Sequence, residues 1–150
     1  MGQITRTNYG LTANLDITDA EMLALHDTPL TIVAGRAGTI WLPLMITVVS
    51  DTTNGAYATV TDFQLGVTGA LTEWGSISLA DSQLDSGANS FAVSGTNLMG
   101  GIVVGGPKSD VVGLPILISA NADPTGGDPS NRIRVRLFYM EIPALATIVP

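Results

Sequence analysis

The stretch NRIRVRLFYMEI, residues 131–142, alternates charged and apolar side chains with a period of two. Residues two apart share one face of an extended strand. Arg132, Arg134 and Arg136 therefore line one side, with Ile133, Val135, Leu137 and Tyr139 on the other. Beyond Arg136 the arginine side turns apolar, through Phe138, Met140 and Ile142. A face that begins cationic and ends apolar does not read as a plain solvated surface. This strand is the pattern from which the rest of the fold is read.

Working outward, short apolar runs recur between turn signals: PLTIVA (29–34), TIWLPLMITVV (39–49), YATVTDFQLGV (57–67), WGSISLA (74–80), SFAVSG (90–95), GIVV (101–104) and VVGLPILIS (111–119). The glycine-rich GRAG (35–38) joins the first two as a hairpin, and DTTNGA (51–56) makes the next turn. Seventeen glycines and eight prolines leave room for few long helices. One short helix is expected in DITDAEMLAL (16–25), where Thr18 and Glu21 form a capping box. The fold class that follows is all-β: a jelly-roll-like β-sandwich of about eight strands with one short N-terminal helix. Two runs echo each other, WLPLMITV (41–48) and GLPILISA (113–120), each with a proline among apolar residues. Proline cannot donate to a sheet ladder, so both are expected at sheet edges or at bulges. Trp41, Met45 and Val49 face one way and Ile40, Leu42, Leu44, Ile46 and Val48 the other, so the first is apolar on both faces.

A chain of 150 residues makes one domain, able to bury roughly 70% of its unfolded surface. With no cysteine it has no disulfides, which suits a reducing compartment such as the cytoplasm. The opening MGQITRTNYG lacks an apolar core, so no secretory signal is expected. The longest apolar run, IWLPLMITVV (40–49), is about half the length of a spanning helix, and no membrane partner is expected. A net charge of −7 argues against nucleic acid as a partner. Only 13% of residues are charged, so much of the surface is either neutral-polar or covered by neighbouring subunits.

Motifs that suggest chemistry fail on their geometry. GIVVGGPKS (101–109) approximates a phosphate-binding loop, but Pro107 removes an N–H and a strand-like segment follows where a helix is required. NADPTGGDPSN (121–131) starts like a calcium loop through Asn121, Asp123, Thr125 and Gly126, yet Arg132 occupies the position of the bidentate glutamate. Asp81 and Asp85 have no fixed partners for a calcium site. His26, the lone histidine, cannot build a His/Cys zinc site, and no nucleophile elbow is present. Asp62 and Glu73 are candidates for a glycosidase pair only if the fold brings them together. Trp74 is a candidate for sugar stacking, the basis of an alternative reading as a carbohydrate-binding module. No cofactor and no metal are expected, and no enzyme activity.

The order of segments carries a resemblance. ALHDTPLTIVAGRAGTIWLPLMITVVSD (24–51), NGAYATVTDFQLGV (54–67) and LPILISANADPTGGDPSNRIRVRLFYMEI (114–142) resemble a group of tailed-bacteriophage head decoration, or cement, proteins, over about residues 18–142. The resemblance implies a jelly-roll-like structural virion protein, a homotrimer on the outer capsid surface that bridges subunits of the major capsid protein. A tail or head-fibre adaptor is the alternative within the virion. Residues 1–17 and 143–150 then read as an N-terminal arm and a C-terminal tail around the 18–142 sandwich. Ile4, Tyr9, Leu11, Leu145, Ile148 and Val149 are placed to dock on a neighbour. Trp41, Met45, Arg132, Arg134 and Arg136 are the remaining candidates for subunit or capsid contact, the arginines because their planar forks bind carboxylates bidentately.

Overall fold

In the computed structural model, residues 10–58, 62–68, 70–78, 89–94 and 111–143 are described, the strands at 70–78 and 89–94 by their backbone. Two four-stranded antiparallel sheets form the body. The first has the order β1 (Leu11–Ile17), β10 (Arg132–Pro143), β3 (Thr39–Asp51), β7 (Asn89–Ser94). The second runs β2 (Leu30–Val33), β8 (Ile116–Ala120), β5 (Asp62–Val67), β6 (Ala70–Ser78). A two-stranded ribbon pairs β4 (Tyr57–Ala58) with β9 (Thr125–Gly126). The single described helix, α1 (Asp19–Leu23), follows β1.

The period-two pattern of β10 appears directly in its burial. Ile133, Val135 and Leu137 are buried, and Arg132, Arg134 and Arg136 are exposed. Opposite them on β3, Ser50, Val48 and Ile46 also point inward. The second sheet contributes Ile32, Val33, Phe63, Leu65, Ile116, Ile118 and Ala120 to the same core cluster. The two sheets thus bury one shared apolar layer, the arrangement of a β-sandwich. Met22 of α1 and Leu25 of its C-terminal turn are buried in the same core cluster.

Residues 11–17, expected in the N-terminal arm, form a regular strand. Leu11, Ala13, Leu15 and Ile17 turn toward the core while Thr12, Asn14 and Asp16 are exposed. That alternation suits the edge of a sheet, and every residue of β1 pairs with β10. Of the two proline runs, the first carries the bulge expected of it. β3 is central, between β10 and β7, and its proline is accommodated by a bulge. Phe138 pairs with Met45 and Tyr139 with Pro43, leaving Leu44 as the extra residue. One extra residue swaps the faces of a strand. Accordingly Thr39, Trp41 and Pro43 are buried before the bulge, and Ile46, Val48 and Ser50 after it. This is why β3 reads as apolar on both sides. In the other run Pro115 lies just ahead of β8, itself a central strand.

Local chemistry fixes the corners. Thr18 caps α1: its Oγ1 accepts from Glu21 N, and Thr18 N donates to Glu21 Oε2 at 2.8 Å. These bonds, with the Thr18 backbone N–H contributing most, hold the Glu21 carboxyl below its ordinary range. Trp41 Nε1 donates to Ala34 O at 2.9 Å and its ring meets Tyr139 edge-on, centroids 5.6 Å apart. Arg36 lies 5.8 Å over the same ring and pairs with Glu141. Trp41 thereby closes the hairpin end of the sandwich.

Candidate interaction surface

The outward face of the β1–β10–β3–β7 sheet carries the arginine stripe, and every arginine on it has a cross-strand neighbour within the chain. Arg134 sits opposite Asp16 and binds both carboxylate oxygens, at 2.5 and 2.8 Å. The hydrogen bond from Arg134 is the main cause that holds the Asp16 carboxyl below the usual range. Arg136 sits opposite Asn14 and donates Nε to its Oδ1 at 2.7 Å. Arg132 pairs in register with Asp51 and donates Nη1 to Asn131 O at 2.8 Å. Asp51 is held low chiefly by the Thr53 hydroxyl and amide, with a smaller contribution from the Arg132 charge.

Along the same sheet the face changes character. The outward positions beyond Arg136 are Phe138, Met140 and Ile142, opposite Met45, Leu42 and Ile40, all half-buried. The result is one continuous surface with a charged half and an apolar half. In the charged half an open cleft of about 1150 Å³ runs between Asp16, Val49, Asp51, Pro129, Arg132 and Arg134. Val49 is 46% exposed, an apolar floor among charges. Guanidinium forks, carboxylates and a bare valine equip such a surface for protein contact, where arginine, aromatic and methionine side chains are enriched. The lone histidine lies elsewhere, with Nδ1 3.0 Å from Ala120 O at the corner between α1 and β2.

The candidate residues divide as follows. Arg132, Arg134, Arg136 and Met45 share the outward face. Trp41 is 7% exposed and belongs to the core of this chain. Leu11 pairs with Tyr139 and packs against the core. Ile4, Tyr9, Leu145, Ile148, Val149, the 101–109 loop, the strand expected at 101–104, and Asp81 and Asp85 lie outside the described residues. Asp16, Asn14 and Asp51, which stand opposite the arginines, are not among the residues the sequence singles out. Their signal was the exposed series Thr12, Asn14, Asp16, in the same period-two register as the arginine stripe.

The tempting motifs resolve into structure. In the 121–131 loop, Asp123 Oδ1 accepts from the His26 and Asp27 amides at 3.1 and 3.4 Å, while Thr125 and Gly126 enter the ribbon with β4. Among the described residues no group of three histidine or acidic side chains converges as a metal site. Asp62 pairs with Ser78, whereas Glu73 belongs toward the Ala70 end of β6, so the fold separates that pair. Among the described residues no helix is long and apolar enough to cross a membrane.

No protein-family model and no curated protein matches this chain. Among solved structures it is similar to a chain of the "Cyanophage Pam1 capsid asymmetric unit", at 18% identity and a TM-score of 0.45, over 93% of this chain and 91% of that one.

Proposed function

We propose that this chain is a structural virion protein without catalytic activity, a homotrimer that binds the outer surface of a phage capsid and bridges subunits of the major capsid protein. The observation that carries this reading is the outward face of the first sheet. It joins an arginine stripe, a charged cleft and a half-buried apolar zone into one broad surface. A protein that holds a shell together needs wide contact, and such a face supplies it. The segment order described above supports the same reading. So does the strand order, β1-β10-β3-β7 over β2-β8-β5-β6. In it most consecutive strands alternate between the two sheets, with β5 and β6 paired in one, an order compatible with a jelly-roll-like sandwich. A net charge of −7 keeps such a protein off packaged DNA.

Electron cryomicroscopy of purified virions tests the proposal. Density for this chain on the outside of the capsid is the expected result. Density confined to the tail would reject the capsid assignment in favour of an adaptor, and absence from the particle would end the virion reading.

A further inference from the structure

We propose that copies of this chain join head to tail, the arginine-bearing face of one copy receiving the carboxylate corner at Asp27 and Asp62 of the next. The pairing rests on the homotrimer reading above and supplies its two contact patches.

The first patch has one cation more than it has anions. Three arginines stand on the described outward face against two carboxylates, Asp16 and Asp51. Arg134 satisfies Asp16, and Arg132 pairs in register with Asp51. Among the described residues Arg136 meets the neutral Asn14 and no carboxylate. Its Nε is spent on Asn14, which leaves the Nη edge of the fork for an acid from outside. Arg136 also sits at the border with the apolar half: it pairs with Thr47, and the next outward pair is Phe138 with Met45. An arginine at that border can be partly desolvated on contact, where a carboxylate partner counts most.

The second patch lies at the margin of the other sheet. Asp123 ties the His26–Asp27 turn to the end of β8, and Asp62 N donates to Asn121 Oδ1 at 3.1 Å in the same loop. Asp27, which is exposed, and Asp62, which is half-buried, are thus held on one corner. The arginines of the described residues are all elsewhere: three on the outward face and Arg36 on Glu141. The two patches differ from each other and lie on different sheets. A self-complementary dimer uses one patch twice, whereas a cyclic trimer requires two distinct, complementary patches on every copy. The charge segregation of the described residues meets that requirement.

Sedimentation equilibrium of the full chain at micromolar concentration tests the contact. The wild type is expected as a trimer that weakens in about 1 M salt, where screening acts within roughly 3 Å. Arg136→Glu and Asp27→Arg, each alone, should weaken assembly by about tenfold or more, and the double variant should recover it. Recovery by the double variant also answers misfolding as the cause of either single loss. A monomeric wild type, single variants that assemble normally, or a double variant without recovery would overturn the proposal. The capsid reading fails separately. A monomer that still decorates capsids removes the homotrimer and its head-to-tail contact but leaves the capsid role, and an Arg136-dependent trimer that ignores capsids removes only the capsid role.

Discussion

Arg134 stands directly opposite Asp16 in the β1–β10 ladder and grips both of its oxygens, Nε on Oδ1 at 2.5 Å and Nη2 on Oδ2 at 2.8 Å. Both side chains are more than half exposed, at 62% and 66%, so water competes for each charge. Such a pair sets register more than it adds stability. Arg134→Ala is therefore expected to leave the midpoint of thermal unfolding close to the wild type's at neutral pH. The depressed Asp16 carboxyl gives the small remainder a direction. A lowered pKa favours the fold above the ordinary carboxyl value of 3.8, and that contribution disappears as pH falls through the lower value of the folded state. Any difference between variant and wild type should shrink to nothing in acid, as followed by tryptophan fluorescence.

The inward side of the same strand behaves differently. Leu137 has no exposed surface and lies opposite Ile46, within the shared core. Leu137→Ala removes buried methyl groups and leaves a cavity, at a cost of about 3 kcal/mol. Urea denaturation should show the midpoint falling while the slope stays unchanged, since the surface exposed on unfolding is nearly the same. A loss below about 1 kcal/mol would mean that the sheets close over the gap.

The contrast between these neighbours explains what was readable in advance. β10 declares itself because one face is core and the other is solvent, so burial and sequence share the period of two. β3 hides its register, because a single inserted residue at Leu44 exchanges its faces and makes the linear pattern look apolar throughout. Its bulge was foreseeable from Pro43, but its central position was not, since proline alone permits an edge or a bulge. From sequence β1 reads as part of an arm, because the segment before α1 shows no turn-bounded periodicity of its own. Only the partner strand, more than a hundred residues away, distinguishes an arm from an edge strand. For the same reason the arginines were legible as a stripe, but their partners Asp16, Asn14 and Asp51 were not.

Gly127 is the tightest point of the ribbon. It holds φ at +78°, and a β-carbon there would run into the Asp19 carboxylate and the Tyr57 ring. Neither obstacle is free to retreat, because Tyr57 is buried and hydrogen-bonded to Asp19. Gly127→Ala thus combines left-handed backbone strain with a steric clash, and a loss of about 2–3 kcal/mol is expected in chemical denaturation. Gly38→Ala is the matched control. It shares the positive φ, at +72°, but has open space around it, so it should cost less.

The Tyr57 hydroxyl donates to Asp19 Oδ1 at 2.7 Å, which couples the ribbon to the start of α1. Burial is the main cause that raises its ionisation from 10.0 to about 12; a hydrogen bond with Asn131 opposes the rise, and the Asp19 carboxylate adds to it. The fold therefore favours the protonated phenol. That preference is complete below pH 10 and is lost as pH rises through about 12, because the unfolded chain releases the proton first. Between those limits stability should fall with the slope of one proton, beyond whatever the other titrating groups contribute. Tyr57→Phe removes the titrating group, and with it the bond to Asp19, at a cost of about 1 kcal/mol at neutral pH. The stability curves of variant and wild type, measured by denaturant titration at successive pH values, should draw together above pH 10 and cross before 12, because a shift of that size outweighs the single bond removed. Parallel curves across that window would mean that the Tyr57 phenol ionises in the fold as readily as in the open chain.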